Sequence, residues 1–163
     1  MSHDCAVYAE WSDSHKKMEP EANVRVFNRV EVESKGSTSL DMETGAVSLQ
    51  PGTYHITASS IVTPFFPETD TDGRVTPQPR PYGGYARLRY ADKAAREDTP
   101  IALGTISHVN MLPSLIDTYL HVDEPVEIML DHQAGAHTED LYLQVAVEDS
   151  SWHIFARISI HRL

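Results

Sequence analysis

The stretch that decides the fold is residues 40–63, LDMETGAVSLQPGTYHITASSIVT. Residues 45–50 alternate, and the Pro51-Gly52 pair that follows is a turn signal, because proline presets φ and glycine tolerates positive φ. Residues 53–63 are rich in β-branched side chains, which favours a long strand. Every second position of this strand shares one face, which carries Tyr54, Ile56, Ala58, Ser60 and Val62. The pattern of strand, Pro-Gly and long strand predicts a β-hairpin.

Most of the remaining chain repeats this strand-like alternation. Residues 24–33, VRVFNRVEVE, alternate most clearly and predict a half-buried antiparallel strand with its valines on one face. Residues 5–11 predict a short strand at a sheet edge. Further strands are predicted at residues 85–90, 101–108, 115–122, 126–132, 141–147 and 152–163. About ten strands with almost no helix indicate an all-β sandwich, and long crossing loops favour a jelly roll.

A family resemblance lies in the same decisive stretch. Its residues follow the form D-x-x-T-G-x-x-x-x-x-P-G-x-Y-x-(I/F), with Asp41, Thr44, Gly45, Pro51, Gly52, Tyr54 and Ile56 at the matching positions. This form resembles the start of the tumour necrosis factor and complement globular-head jelly roll. It is also similar to the distal domains of some phage tail fibres. Weaker likeness at residues 85–90, 117–133 and 151–163 extends the resemblance over residues 24–163.

The resemblance implies a single domain, with an N-terminal strand and loop at residues 1–23 and the jelly roll at residues 24–163. It also implies a homotrimer and a non-catalytic binding or structural role. The implied setting is a phage or prophage fibre tip, or a bacterial protein derived from one. The implied partner is a cell-surface glycan or protein, held by the apical loops.

Composition excludes several classes of function. The chain has 163 residues, of which 40% are hydrophobic, and 13 Lys+Arg against 24 Asp+Glu give a net charge of −11. So acidic a protein would repel nucleic acid. Cys5 is the single cysteine and has no partner for an internal disulfide. No apolar run reaches membrane-spanning length, and the N-terminus lacks a signal-peptide pattern. These features predict synthesis in the cytosol without membrane insertion, with incorporation into a virion or release by lysis left open.

Residues 64–84 break the strand pattern because they hold five of the ten prolines. Proline at this density prevents regular structure, so a long exposed loop is expected, and such loops are often functional. Aromatic and basic side chains near its base form the predicted ligand-binding loop: Phe65, Phe66, Arg80, Tyr82 and Tyr85. Side chains of these types are frequent at contact hot spots and can stack on sugar rings. Burial of Phe65 and Phe66 at a subunit interface is an equal alternative.

The tip of the same loop carries Glu68, Asp70 and Asp72 at alternate positions, followed by Gly73. This spacing matches the first part of a calcium loop, where oxygen ligands converge on one hard cation. The acidic ligand that should close the loop is missing, because Pro79 occupies its position. Calcium is therefore a weak expectation, an acidic loop tip without metal is the main alternative, and no other cofactor is predicted.

An enzyme is the alternative function, either a carbohydrate-active hydrolase or a metal-dependent barrel. The sequence has no G-x-S-x-G elbow. A cupin-type metal site needs an H-x-H pair after its Pro-Gly, whereas His55 stands alone here. Glu127 and Asp131 share a strand face, which is read as a solvated face. No catalytic residue is predicted.

Two predicted strands near the C-terminus carry aromatic side chains on the face opposite their apolar one. These are Tyr142 in residues 141–147 and Phe155 in residues 152–163. A strand of a monomeric sandwich needs only one apolar face. Tyr142 and Phe155 are therefore the predicted trimer interface, and half-exposed aromatics are the alternative.

Overall fold

The computed structural model describes residues 3–20, 22–34, 36–64, 82–92, 100–108, 112–135, 138, 141–146 and 153–163. These residues form strands and connections, and none of them forms a helix that could cross a membrane. The strands are β1 (Cys5–Trp11), β2 (Lys16–Lys17), β3 (Ala22–Val24), β4 (Arg29–Glu33), β5 (Thr38–Leu40), β6 (Val47–Leu49), β7 (Gly52–Ser60), β8 (Thr63–Pro64), β9 (Tyr82–Tyr90), β10 (Ala102–His108), β11 (Ser114–Val122), β12 (Val126–Gln133), β13 (Leu141–Gln144) and β14 (Ile154–Arg162).

The strands form two large antiparallel sheets and one small one. Sheet I has the order β11-β7-β14-β1-β4. Sheet II has the order β10-β9-β12-β6-β5, and β3 pairs with β12 beyond the end of β6. The small sheet III has the order β2-β13-β8. Neighbours in sheets I and II are mostly distant in sequence, and this crossing topology is that of the predicted jelly roll.

The core lies between sheets I and II and is built by the alternation of their strands. In β7, Tyr54, Ile56 and Ala58 are buried, as their shared face predicts. Opposite them, Leu88 of β9 and Leu130 of β12 are fully buried. A second, smaller cluster lies with sheet III: Met18, Val62, Ala134, Leu141 and Leu143.

The decisive stretch contains a hairpin, but the sequence analysis placed its turn wrongly. Residues on either side of Pro51-Gly52 belong to different sheets, because β6 pairs with β5 and β12 while β7 pairs with β11 and β14. Pro51-Gly52 is thus a corner between sheets. Both strands bury one face in the same core. A hairpin and a corner between sheets therefore show the same alternation in the sequence, which is why the prediction could not tell them apart.

The true hairpin is β5–β6, and the first half of the family-like motif builds its turn. The Asp41 carboxylate accepts hydrogen bonds from the backbone N–H of Glu43 (2.9 Å) and of Thr44 (3.4 Å). The first of these bonds is the main reason why the pKa of Asp41 lies below its ordinary value. Gly45 follows with φ +80°, a conformation that glycine adopts without strain.

The strand predicted at residues 24–33 is also divided between the sheets. β3 joins sheet II and β4 joins sheet I, so the chain crosses the sandwich between them. Arg25 and Phe27 are buried in this crossing, whereas Val30 and Val32 are exposed, which reverses the predicted faces. The edge position predicted for residues 5–11 is wrong as well, because β1 lies between β14 and β4.

Candidate interaction surface

The predicted ligand-binding residues are only partly within the described structure. Phe65, Phe66 and Arg80 lie outside the described residues. Tyr82 is the first residue of β9 and is exposed, opposite His108 of β10. Tyr85 is half-buried in the same strand, between Ile106 and Gln133 on the neighbouring strands. Tyr82 therefore belongs to a strand and not to the loop predicted at residues 64–84, whereas Tyr85 lies in a strand as predicted.

The candidate calcium ligands Glu68, Asp70 and Asp72 also lie outside the described residues. Within the described part of the chain, no three His, Cys, Asp or Glu side chains are placed to hold one metal ion.

The two predicted interface aromatics do not share a surface. Tyr142 is on β13 of sheet III, half-buried, with its ring centroid 6.3 Å from that of His15. Phe155 is on β14 of sheet I and only 4% exposed in the single chain. The expectation for Phe155 fails, because a side chain already covered by its own chain has almost no area left to bury against another copy.

A different set of aromatic and polar residues covers the outer side of sheet I. We call it the open face and define it as the outward side chains of three adjacent strands: His55, Thr57 and Ser59 of β7, Leu115, Asp117 and Tyr119 of β11, and Arg157 and Ser159 of β14. Tyr119 is 65% exposed and Leu115 is 52% exposed. A shallow cavity of about 310 Å³ on this face lies beside Leu115 and Arg157.

The centre of the open face is held in place by contacts between neighbouring strands. Tyr119 and His55 are opposite each other in the register of β11 and β7, and their rings stack with centroids 4.8 Å apart. The other side of the imidazole is fixed by Asp117, whose Oδ1 lies 2.6 Å from His55 Nε2. The Tyr119 ring therefore stands ordered on the surface, as an anchor for a contact needs to be.

An apolar edge adjoins the open face where sheets I and II meet. It consists of the exposed side chains of Leu103, Ile106 and Leu112 together with Leu115. Thr105 fastens β10 to β11, since its Oγ1 accepts a hydrogen bond from Leu115 N (2.9 Å) and its carbonyl accepts one from Ser114 Oγ. Ile106 is 74% exposed, the highest value among the exposed large hydrophobic side chains of the described residues.

The criterion that selected Tyr142 and Phe155 also selects the open face. Residues 115–122, LIDTYLHV, carry Ile116, Leu120 and Val122 on one face and Leu115 and Tyr119 on the other. The sequence analysis applied the two-face argument only to the last two strands. The alternation of β11 alone would have found Leu115 and Tyr119.

Four of the fully buried polar residues, Glu10, Arg25, Ser60 and His132, form one connected network inside the sandwich. Arg25 and Glu10 are fully buried and paired, with Nη1 2.9 Å from Oε1. Arg25 also donates to the Leu143 and Ile61 carbonyls, and its Nε donates to Ser60 Oγ (2.8 Å). Every part of the guanidinium thus has an acceptor, as a buried charge requires.

The same network continues to a buried serine–histidine pair. Ser60 Oγ lies 2.8 Å from His132 Nδ1, and His132 Nε2 lies 2.6 Å from the Gly83 carbonyl oxygen. A carbonyl only accepts, so Nε2 carries the proton and Nδ1 accepts from the serine hydroxyl. Ser60 and His132 are both fully buried.

The buried histidine makes stability depend on pH. Burial, and next the charge of Arg25, lower the pKa of His132 from 6.5 to about 4. The folded protein therefore holds this imidazole neutral, and its contribution is complete above pH 6.5. As pH falls from 6.5 toward 4, the unfolded chain binds the proton first, so stability is lost. We expect about 2 kcal/mol less stability at pH 5 than at pH 7.5 from this group.

Urea unfolding of wild type and His132→Gln at these two pH values measures the effect. The other eight histidines are common to both proteins, so the difference between their pH dependences isolates His132. An identical loss of stability in both proteins would contradict the assignment.

Comparison with known proteins shows the fold of this chain but does not assign it to a family. A scan against family models and a search of curated proteins found no match for this sequence. Among solved structures, the crystal structure of murine APRIL at pH 8.0 is similar, with a TM-score of 0.61 and 8% sequence identity over 99% of this chain and 100% of that one. The crystal structure of murine APRIL at pH 8.5 gives a TM-score of 0.56 and 9% identity over the same shares. The chain therefore has the tumour necrosis factor-like jelly-roll fold.

Proposed function

We propose that this protein is a non-catalytic binding module that works as a homotrimer. The observation that carries the proposal is the ordered, exposed Tyr119 on the open face, beside the exposed Leu115 of the apolar edge. Burying two such side chains between copies contributes several kcal/mol of association free energy before ordering costs.

The position of the exposed apolar groups supports a ring of copies. The apolar edge lies at one side of sheet I, while Val30 and Val32 are exposed on β4 at the opposite side. An interface that joins one surface of a copy to a different surface of the next is heterologous, and it is satisfied everywhere only when the ring closes. Three copies is the number that the tumour necrosis factor-like resemblance implies.

The interior supports a role without catalysis. The space between the described parts of sheets I and II is filled by apolar side chains, and the Ser60–His132 pair is sealed inside it. A carbohydrate-active or metal-dependent enzyme with this fold would need carboxylates or histidines around an open cavity in the sandwich.

A cell-surface protein is the partner that we propose, since the fold likeness is to a jelly roll of the tumour necrosis factor type. The phage or prophage setting and a glycan ligand, both implied by the tail-fibre resemblance, remain predictions. Binding to a glycan array by the assembled trimer, together with retained binding to cells stripped of surface protein, would favour the glycan.

Mass in solution tests the assembly. We expect light scattering to give about 55 kDa for the wild type, three times the chain mass of 18.2 kDa. The double variant Leu115→Asp/Tyr119→Asp should run as a folded chain of 18.2 kDa, because it places charges in the interface. Met42→Asp is the matched control: Met42 is 51% exposed, in the β5–β6 turn of sheet II, and this variant should stay trimeric. A monodisperse wild-type monomer would refute the proposal.

A further inference from the structure

A groove on sheet II is separate from the open face of sheet I and has a different character. It forms over the start of β12, where the C-terminal ends of β9 and β6 flank the first residue of β12 on either side. The antiparallel register places Val126 opposite Leu49 and Ile128 opposite Tyr90. The groove has a volume of about 440 Å³, which suits one or two side chains of a partner.

The walls of the groove combine an apolar floor with carboxylates. The half-buried Val126 and Tyr90 supply apolar and aromatic surface above the fully buried Leu49, and Asp92, Glu124 and Glu127 supply negative charge. None of the described residues that line it is a lysine or an arginine. The carboxylates of Glu124 and Glu127 have no hydrogen-bond or ion-pair partner among the described residues. The exposed carboxylates of Glu124 and Glu127 therefore present negative charge that no cation of the described residues neutralises.

A second cavity continues the groove around the β11–β12 turn. Its volume is about 290 Å³, and it shares Tyr90, Glu124 and Val126 with the first. It adds Asp123, whose Oδ1 lies 3.0 Å from Nε2 of His121. The two cavities together give a continuous track for a short extended segment with more than one side chain.

We propose that this groove binds a basic segment of a protein partner, with an arginine side chain lying across Tyr90 and reaching Glu124 and Glu127. Charge complementarity selects the occupant. The stem of arginine packs on apolar surface while its guanidinium stacks on an aromatic ring and binds carboxylates in pairs. An acidic or neutral segment would leave these carboxylates partly desolvated and unpaired. The net charge of −11 adds long-range attraction for a basic partner.

The proposal stands apart from trimer formation, and its test uses small probes. The blocked peptide Ac-Arg-Leu-Arg-NH₂ is titrated into the ¹⁵N-labelled protein, with Ac-Cit-Leu-Cit-NH₂ as the neutral isostere. We expect saturable shifts at the amides of Tyr90, Glu124, Val126 and Glu127, and about tenfold weaker binding of the citrulline peptide. Added salt should weaken only the arginine peptide.

Matched variants assign the effect to the carboxylates. Glu124→Gln/Glu127→Gln should lower the affinity for the arginine peptide about tenfold and leave the citrulline peptide unchanged. Glu43→Gln removes an exposed carboxylate in the β5–β6 turn and should change neither. Equal binding of both peptides, shifts that map elsewhere, or no effect of the double variant would overturn the proposal.

One further outcome of this experiment would identify a different occupant of the groove. Lys93 and Arg96 follow Asp92 in the sequence. If the arginine peptide binds Lys93→Gln/Arg96→Gln but not the wild type, the groove is occupied by Lys93 or Arg96 of the chain itself, and the proposal of a partner is overturned.

Discussion

Replacing Arg25 with methionine is expected to lower the free energy of unfolding by about 3–5 kcal/mol. Methionine keeps most of the volume but removes the buried charge that faces Glu10, both at 0% exposure. Glu10 would then keep only Lys16, whose Nζ is 3.4 Å from Oε2 and whose side chain is 38% exposed. The Leu143 and Ile61 carbonyls and the Ser60 hydroxyl would also lose a donor.

Urea unfolding at one fixed protein concentration measures this loss, with two comparisons. Arg162→Met breaks an exposed pair with Asp4, at 3.7 Å, and should cost no more than about 1 kcal/mol. Glu10→Gln/Arg25→Met leaves no unpaired charge and should be less damaging than the sum of its single variants. If the Arg25→Met variant were as stable as Arg162→Met, Arg25 would not be what stabilises the segment that crosses from β3 to β4.

Replacing Gly84 with alanine is expected to cost about 4 kcal/mol or more, or to prevent folding. Gly84 lies in β9 with φ +81°, and an added Cβ would stand 1.9 Å from the Gln133 carbonyl oxygen and 3.1 Å from Ala134 Cα. Both atoms belong to the backbone of β12 and the residue after it, so no side-chain movement relieves the clash. The strand pairing of β9 with β12 must shift, and with it the Gly83 carbonyl that accepts from His132.

Gly135→Ala separates the clash from the conformational strain. Gly135 has φ +73°, close to that of Gly84, but no atom lies within 4 Å of the position of its Cβ. Its substitution should cost only about 1–2 kcal/mol, the penalty of a left-handed backbone for alanine. Chemical unfolding compares the two variants. If Gly84→Ala does not yield folded protein, the fraction of each variant that refolds in the same buffer shows instead which substitution is more damaging. Equal effects would show that conformation, and not the contact with β12, sets the cost.

The strands themselves were predictable because alternation is a local property. Tyr54, Ile56 and Ala58 are buried as their spacing predicts, and the predicted boundaries of β11 and β12 differ from the observed ones by one residue. The prediction of which strand face is buried was wrong where the chain passes from one sheet to the other. Val30 and Val32 were predicted in the core and are exposed, while Arg25 is the largest fully buried side chain among the described residues. A crossing between sheets leaves no local mark in the alternation.

The candidate surfaces could not be predicted from the sequence for the same reason. His55 and Tyr119 are 64 positions apart, and only the β7–β11 register stacks their rings. Asp131 was expected on a solvated face, but the guanidinium groups of Arg87 and Arg89 cover it completely, each with a nitrogen 2.8 Å from Oδ2. The acidic groove likewise joins β6, β9 and β12. No spacing rule brings residues such as these together, because each pair depends on a strand order set by long-range pairing.

The sequence by itself predicted that this protein is an all-β jelly roll, because period-two alternation and the near absence of helical periodicity are local properties, and because residues 40–56 resemble the tumour necrosis factor-like motif. The tertiary structure alone decided where the chain changes sheets, that Arg25 and Glu10 pair inside the sandwich, and which side of sheet I stays open. The physical reason is that a buried charge, a corner and an uncovered face are each defined by residues distant in sequence, and their energies exist only once the two sheets have packed.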